Sequence, residues 1–66
     1  MDEKTFREAW IKAKNKDEDV FISSIDCEIS IYATKYELSS NKDVAYLYWY
    51  AELIGIIPLN KIDKVE

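Results

Sequence analysis

The sequence predicts a small all-α domain built from three helices, and three observations lead to this prediction. Apolar residues near the N-terminus recur at helical spacing. The chain has one glycine and one proline, whereas tight hairpins typically use glycine, asparagine and proline. The nearly unbroken apolar run within DVAYLYWYAELIGIIP, residues 43–58, closes with glycine and proline, as helices often do. We expect helices at residues 3–15, 18–38 and 41–54, followed by a short C-terminal tail.

The first predicted helix covers DEKTFREAWIKAKN. Phe6, Trp10 and Ala13 fall at i, i+4 and i+7, which places them on one face of a helix with 3.6 residues per turn. Acidic residues stand at its start and lysines crowd its end, an arrangement that the helix dipole favours. The segment is therefore predicted to bury one apolar stripe against the rest of the domain.

The middle segment, DEDVFISSIDCEISIYATKYEL, allows two interpretations. As a helix it would carry an isoleucine and tyrosine stripe, with three acidic residues at its positive N-terminal end. As a strand, SIDCEISIYAT alternates polar and apolar residues and is rich in residues that favour sheets. We prefer the helix because no turn residues interrupt the segment. The alternative is an α+β fold with an α-β-β-α order and a hairpin around Ile25 to Glu28.

The last helix is predicted from its ends. Ser40 followed by Asp43 is similar to a capping box, with aspartate in the usual place of glutamate. Gly55, followed soon after by Pro58, fits a helix that stops at a left-handed glycine. The pentapeptide KYELS, residues 35–39, would close the second helix and lead into the third. It resembles the Hha-type nucleoid modulators, which are small all-helical proteins, over these five residues, and we carry no functional residue across.

Composition excludes several classes of function. The chain of 66 residues is expected to form a single domain, residues 1–66, close to the lower limit for folding alone. A net charge of −4 argues against direct nucleic-acid binding, which needs a basic face. Cys27 is the only cysteine, the N-terminus is charged from its second residue, and the apolar run is shorter than the roughly 20 residues that span a bilayer. We expect a cytoplasmic protein that does not bind membranes.

No residues suggest catalysis, a cofactor or a metal site. The chain has no histidine, and Cys27, Ser23 and Ser24 have no partner in the sequence that would activate them. The acidic triplet at 17–19 lacks the twelve-residue pattern and central glycine of a calcium loop. We therefore expect a protein that is not an enzyme and that carries neither a cofactor nor a bound metal.

The last segment instead predicts a binding function, because as a helix it would be apolar on two sides. One face would hold Val44, Leu47, Tyr48, Ala51 and Ile54. The other would hold the residues we predict to contact a partner, Tyr46, Trp49, Tyr50 and Leu53. A surface helix needs one apolar stripe, and two short helices can hardly cover a second, although the simpler interpretation is a central core helix.

The partner is expected to be another protein or a second copy of this chain. We expect a small acidic regulator or inhibitor, of the kind that phages and plasmids carry, which acts by occlusion or adaptation. Two alternatives stay open. One is a structural homo-oligomer that uses the same aromatic face, and the other is an acidic mimic of nucleic acid that blocks a nucleic-acid-binding protein.

Overall fold

One α-helix and six β-strands form the protein in a computed structural model that describes residues 1–66. In chain order the elements are α1 (Glu3–Lys16), β1 (Val20–Ser24), β2 (Ile29–Ala33), β3 (Lys35–Leu38), β4 (Val44–Trp49), β5 (Glu52–Pro58), a 3-10 turn (Leu59–Lys61) and β6 (Lys64–Val65). The fold is therefore α+β. The prediction of an all-α bundle of three helices is wrong, since only the first predicted helix forms.

Helix α1 agrees with its sequence pattern. Phe6, Trp10 and Ala13 are its buried residues, as their spacing predicts. The carboxylate of Asp2 caps the N-terminus by accepting a hydrogen bond from the backbone N–H of Thr5, at 2.8 Å. Hydrogen bonds from the backbone and side chain of Thr5 lower the pKa of Asp2 below its usual value. Local signals alone thus define this helix and its buried face.

The strands form two antiparallel sheets that one bent segment connects. The first sheet has the order β2-β1-β6 and the second has the order β3-β4-β5. Only Thr34 separates β2 from β3, and its backbone N–H donates to the carbonyl oxygen of Tyr48 at 2.8 Å. The chain therefore passes from one sheet into the other at Thr34, and we refer to the two packed sheets together as the barrel.

The barrel has one continuous apolar core that α1 helps to close. Phe6 of the helix is fully buried, and its ring meets the ring of Tyr36 edge-on with 4.9 Å between centroids. The buried apolar residues come from the helix, both sheets and the C-terminal segment: Phe6, Trp10, Ala13, Val20, Ile22, Ala33, Ala45, Leu47, Ile57, Leu59, Ile62 and Val65. No single element could bury such a set alone, so the helix and both sheets depend on one another.

The middle segment is a β-hairpin, which corrects the helix predicted at 18–38. Val20 pairs with Ala33 and Ser24 pairs with Ile29, so the turn spans residues 25–28. The α-β-β-α alternative placed this hairpin correctly. Lys35–Leu38, within the KYELS pentapeptide, is strand β3 and does not close a helix. Here the alternation of polar and apolar residues was the correct signal.

The last segment is also a hairpin, so the helix predicted at 41–54 is wrong, as is the final helix of the α-β-β-α alternative. Strand β4 is rich in valine, tyrosine and tryptophan, which pack well on a pleated surface. Ser39, and not Ser40, orders the preceding turn by accepting hydrogen bonds from the N–H groups of Asp43 and Val44. The serine and aspartate pattern thus belongs to a turn between strands.

Gly55 does not end a helix but lies inside β5, where the chain needs a residue without a side chain. A Cβ atom at this position would lie 3.0 Å from Cδ1 of Ile31, which reaches across from the other sheet. The glycine is therefore explained by close approach of the two sheets. Its backbone does not adopt the left-handed conformation that a helix cap requires.

The hairpin turns explain why a chain with one glycine can form two sheets. Each of the three turns has one residue with positive φ, and none of these residues is glycine: Glu28 (55°), Lys42 (60°) and Tyr50 (57°). Such residues cost roughly 1–2 kcal/mol in the left-handed conformation. The scarcity of glycine therefore did not exclude hairpins, as the sequence-based prediction assumed.

Candidate functional site

The outer face of the second sheet carries a row of exposed and half-buried apolar and aromatic side chains. Ala45 and Leu47 of β4 point into the core and are fully buried, so Tyr46 and Tyr48 face outward by strand alternation. In the register of the sheet Tyr46 lies opposite Ile56, and Tyr48 lies opposite Leu53. Ile56 is 52% exposed and Leu53 is 46% exposed. Tyr46 and Tyr48 are half-buried.

The turn between β4 and β5 carries two further exposed rings. Trp49 and Tyr50 are 39% and 56% exposed, and their rings meet edge-on with 5.0 Å between centroids. We call these six residues together the aromatic surface: Tyr46, Tyr48, Trp49, Tyr50, Leu53 and Ile56. Four of the seven large hydrophobic residues that are exposed in this protein lie within residues 49–56. The exposed apolar area is therefore concentrated in one hairpin.

Thr34 fixes the position of this turn. Its hydroxyl oxygen accepts a hydrogen bond from the backbone N–H of Tyr50 at 2.6 Å, and the hydroxyl donates to the carbonyl oxygen of Tyr48 at 3.4 Å. Thr34 also joins the two sheets, so the turn is anchored at the bend of the barrel. The two rings at the turn are consequently presented from a defined backbone position.

Tyr50 occupies a backbone conformation that disfavours its own side chain. Its φ of 57° lies in the left-handed region, where glycine or asparagine is the usual residue. A tyrosine with its ring mostly in solvent gains little from burial to offset this strain. Glu28 and Lys42 in the other two hairpin turns have the same conformation, so it is a common feature of the turns of this fold.

The strain at Tyr50 predicts an inverted ranking of two substitutions. Tyr50→Gly should be more stable than Tyr50→Ala by about 0.5–1 kcal/mol, because both variants lose the ring but only alanine keeps the left-handed penalty. At an ordinary strand position glycine would be the less stable of the two. Denaturant unfolding of both variants measures this difference. An alanine variant as stable as the glycine variant would show that Tyr50 is not strained.

The predicted partner-contacting residues Tyr46, Trp49, Tyr50 and Leu53 lie in one hairpin. Tyr46 and Leu53 are on the outer face of the sheet, and Trp49 and Tyr50 are at its turn. The helical interpretation missed Tyr48 and Ile56. Alternation within Val44–Trp49, read with a period of two, places Tyr48 beside Tyr46 and was the signal that could have found it.

The free edge of β5 is poorly suited to pairing with another strand. Glu52 stands at its start and Pro58 at its end. The register passes from Leu47–Gly55 to Tyr48–Leu53, which leaves Ile54 without a partner in a bulge. A charge, a bulge and a proline are the features by which sheet edges avoid edge-to-edge pairing. The outer face is thus a better candidate for binding than the edge.

The serine, cysteine and acidic residues that the sequence analysis considered for catalysis or metal binding do not form such a site. Ser24 is buried, and its hydroxyl oxygen accepts a hydrogen bond from the backbone N–H of Cys27 at 3.2 Å. The carboxylates of residues 17–19 do not converge on a common position for a metal ion. None of the helices has the length and apolar character that crossing a membrane requires. The aromatic surface is therefore the feature of this molecule that most needs a functional explanation.

Comparison of the chain with protein-family models, with curated proteins and with solved structures finds no match.

Proposed function

We propose that this protein binds another protein through the aromatic surface and acts as a small regulator or inhibitor. The observation that carries the proposal is the concentration of exposed rings and aliphatic side chains on β4, β5 and their turn. Such a protein would work by covering a functional surface of its partner, or by joining two partners, without chemistry of its own.

The composition of the surface supports this proposal. Tyrosine and tryptophan are enriched in protein interfaces because each combines a large apolar body with a hydrogen-bonding group. Charged residues border the apolar centre: Lys35 lies opposite Tyr48, Glu37 lies opposite Tyr46, and Glu52 lies opposite Trp49. An apolar centre with a polar rim is the usual organisation of a docking surface.

Removal of the tryptophan ring tests the proposal. Immobilised wild-type protein and Trp49→Ala are exposed to the same cell lysate, and the retained proteins are quantified. We expect a protein that wild type retains to lose about 2 kcal/mol or more of binding free energy in Trp49→Ala, as interface tryptophans often do. That is roughly a thirtyfold loss of affinity. A cooperative melt of the variant would show that it is folded.

Ile25→Ala is the matched control, because Ile25 is 80% exposed but lies in the turn of the first hairpin. This control should retain the partner as wild type does. Equal retention by all three proteins would contradict the proposal, because the aromatic surface would then contribute nothing to binding.

The alternatives predicted from the sequence have distinct outcomes. A structural homo-oligomer would show a larger mass by light scattering, and Trp49→Ala would reduce it to the monomer. An acidic mimic of nucleic acid would bind a nucleic-acid-binding protein and be displaced by DNA or RNA. The arrangement of aromatic side chains favours neither alternative over a protein partner of different sequence.

A further inference from the structure

The charges of this protein are divided unevenly between α1 and the barrel. Residues 1–16 carry five of the nine basic side chains. Residues 17–66 carry ten acidic side chains but only four basic ones, Lys35, Lys42, Lys61 and Lys64. The barrel that presents the aromatic surface is therefore strongly negative. A field of this kind attracts partners of opposite charge and repels others.

An acidic loop lies close to the turn that carries Trp49 and Tyr50. We call Asp17, Glu18 and Asp19 the acidic loop. The ammonium of Lys14 donates to the carbonyl oxygen of Glu18 at 2.6 Å and to that of Thr34 at 2.7 Å. The hydroxyl oxygen of Thr34 accepts a hydrogen bond from the backbone N–H of Tyr50. The acidic loop and the aromatic turn therefore flank the same residue.

The carboxylates of the acidic loop and of Glu52 are not neutralised by ion pairs. The three ion pairs of the protein join Arg7 to Glu3, Lys42 to Glu3, and Lys61 to Asp26. None of them involves the acidic loop or Glu52. Two cations of this region have other surroundings, since Lys14 binds carbonyl oxygens and Lys35 lies over the ring of Tyr48, 4.8 Å from its centroid. Lys16 ends the helix beside Asp17.

We propose that the aromatic surface binds a basic segment of a partner protein, an inference that rests on the proposed function. Apolar side chains of that segment would cover Leu53 and Ile56, and its lysine or arginine side chains would reach the acidic loop and the rings at the turn. Lys35 over the ring of Tyr48 is an example, within this molecule, of such a contact between a cation and an aromatic ring. A second copy of the chain is a poorer occupant, because two molecules with a net charge of −4 repel one another.

Random peptides displayed on phage provide a probe that needs no identified partner. Peptides are selected on the intact protein, synthesised, and titrated while binding is followed by fluorescence anisotropy. We expect the selected peptides to combine lysine or arginine with apolar residues. Their affinity should fall by about tenfold or more in Trp49→Ala. It should also fall several-fold in a variant that combines Asp17→Asn, Glu18→Gln and Asp19→Asn, and in salt of about 0.5 M.

A second triple variant controls for net charge. Glu8→Gln, Asp26→Asn and Glu28→Gln also remove three exposed carboxylates, but from α1 and from the turn of the first hairpin. This control should keep most of the affinity.

Three other outcomes of the selection would each contradict one or both proposals. In the first, the selected peptides are neutral and apolar, with an affinity that falls in Trp49→Ala but not in the acidic-loop variant. That result would contradict the proposal of a basic partner segment and would leave the proposed function unchanged. Peptides indifferent to Trp49→Ala would overturn both proposals. Absence of selected peptides together with a dimer that Trp49→Ala dissociates would overturn the basic occupant in favour of a second copy.

Discussion

Phe6→Ala is expected to lower the free energy of unfolding by about 3–5 kcal/mol. The ring of Phe6 is fully buried and contacts the rings of Trp10 and Tyr36, at centroid distances of 6.2 and 4.9 Å. Its removal would open a cavity where α1 packs on the barrel. Small proteins have total stabilities near the low end of about 5–15 kcal/mol. The variant should therefore be close to unfolded at room temperature, which urea denaturation followed by circular dichroism would show.

Ile11→Ala is the control for this substitution within the same helix. Ile11 is 60% exposed, and a surface substitution of this kind usually changes stability by about 0.5 kcal/mol or less. The comparison separates packing of the helix from its intrinsic tendency to form. Similar losses in the two variants would mean that α1 does not pack on the barrel through Phe6.

Leu47→Ala should lower the free energy of unfolding by about 2–5 kcal/mol, because Leu47 is fully buried at the centre of β4. In the register of the sheet it lies between Tyr36 of β3 and Gly55 of β5. The cavity left by the substitution has walls from both neighbouring strands, which limits its collapse. The melting temperature should fall by roughly 10 °C or more, since about 1 kcal/mol shifts it by 4–8 °C in domains of this size.

Leu53→Ala is the matched control, since it removes the same atoms from the neighbouring strand. Leu53 is 46% exposed on the outer face, so its truncation should cost about 1 kcal/mol or less. The pair thus compares the inner and outer faces of one sheet. If Leu53→Ala proved as destabilising as Leu47→Ala, the outer face would be part of a core, and the aromatic surface would lose its role as a docking site.

Helix α1 could be predicted almost completely from the sequence. Its buried stripe, its acidic start and its lysine-rich end are local properties that do not depend on the rest of the chain. The predicted bounds, 3–15, differ from the observed Glu3–Lys16 by one residue. The middle segment has apolar residues at the same spacing and is a hairpin, so the prediction of α1 depended on this spacing together with the charges at its two ends.

The C-terminal half could not be predicted in the same way. A run such as VAYLYW is apolar at nearly every position, and such a run fits a buried helix and a strand equally well. Leu47 was correctly assigned to the core and Tyr46 to the opposite side, but Tyr48 was placed on the core face although it faces outward. The error was in the assumed period. We used the helical period of 3.6 residues, whereas side chains along strand β4 alternate between the two faces of the sheet with a period of two.

The turns were the second source of error, and the reason is energetic. Glu28, Lys42 and Tyr50 take up conformations that glycine adopts more easily. Each of these conformations lowers the stability of the folded state slightly, and the packing of the two sheets around one core compensates for this loss. A local preference can therefore be overridden by tertiary contacts, and no inspection of the turn residues alone would have identified the hairpins.

The first helix, the acidic character of the chain and the set of aromatic residues available for a binding surface all follow from local sequence. Which of these residues face outward depends on the pairing of β4 with β5, which is a property of the folded chain. The tertiary structure also placed Thr34 between the acidic loop and the aromatic turn, although residues 17–19 and Tyr50 are far apart in the chain. Contacts between distant segments create that neighbourhood, and no local pattern encodes it.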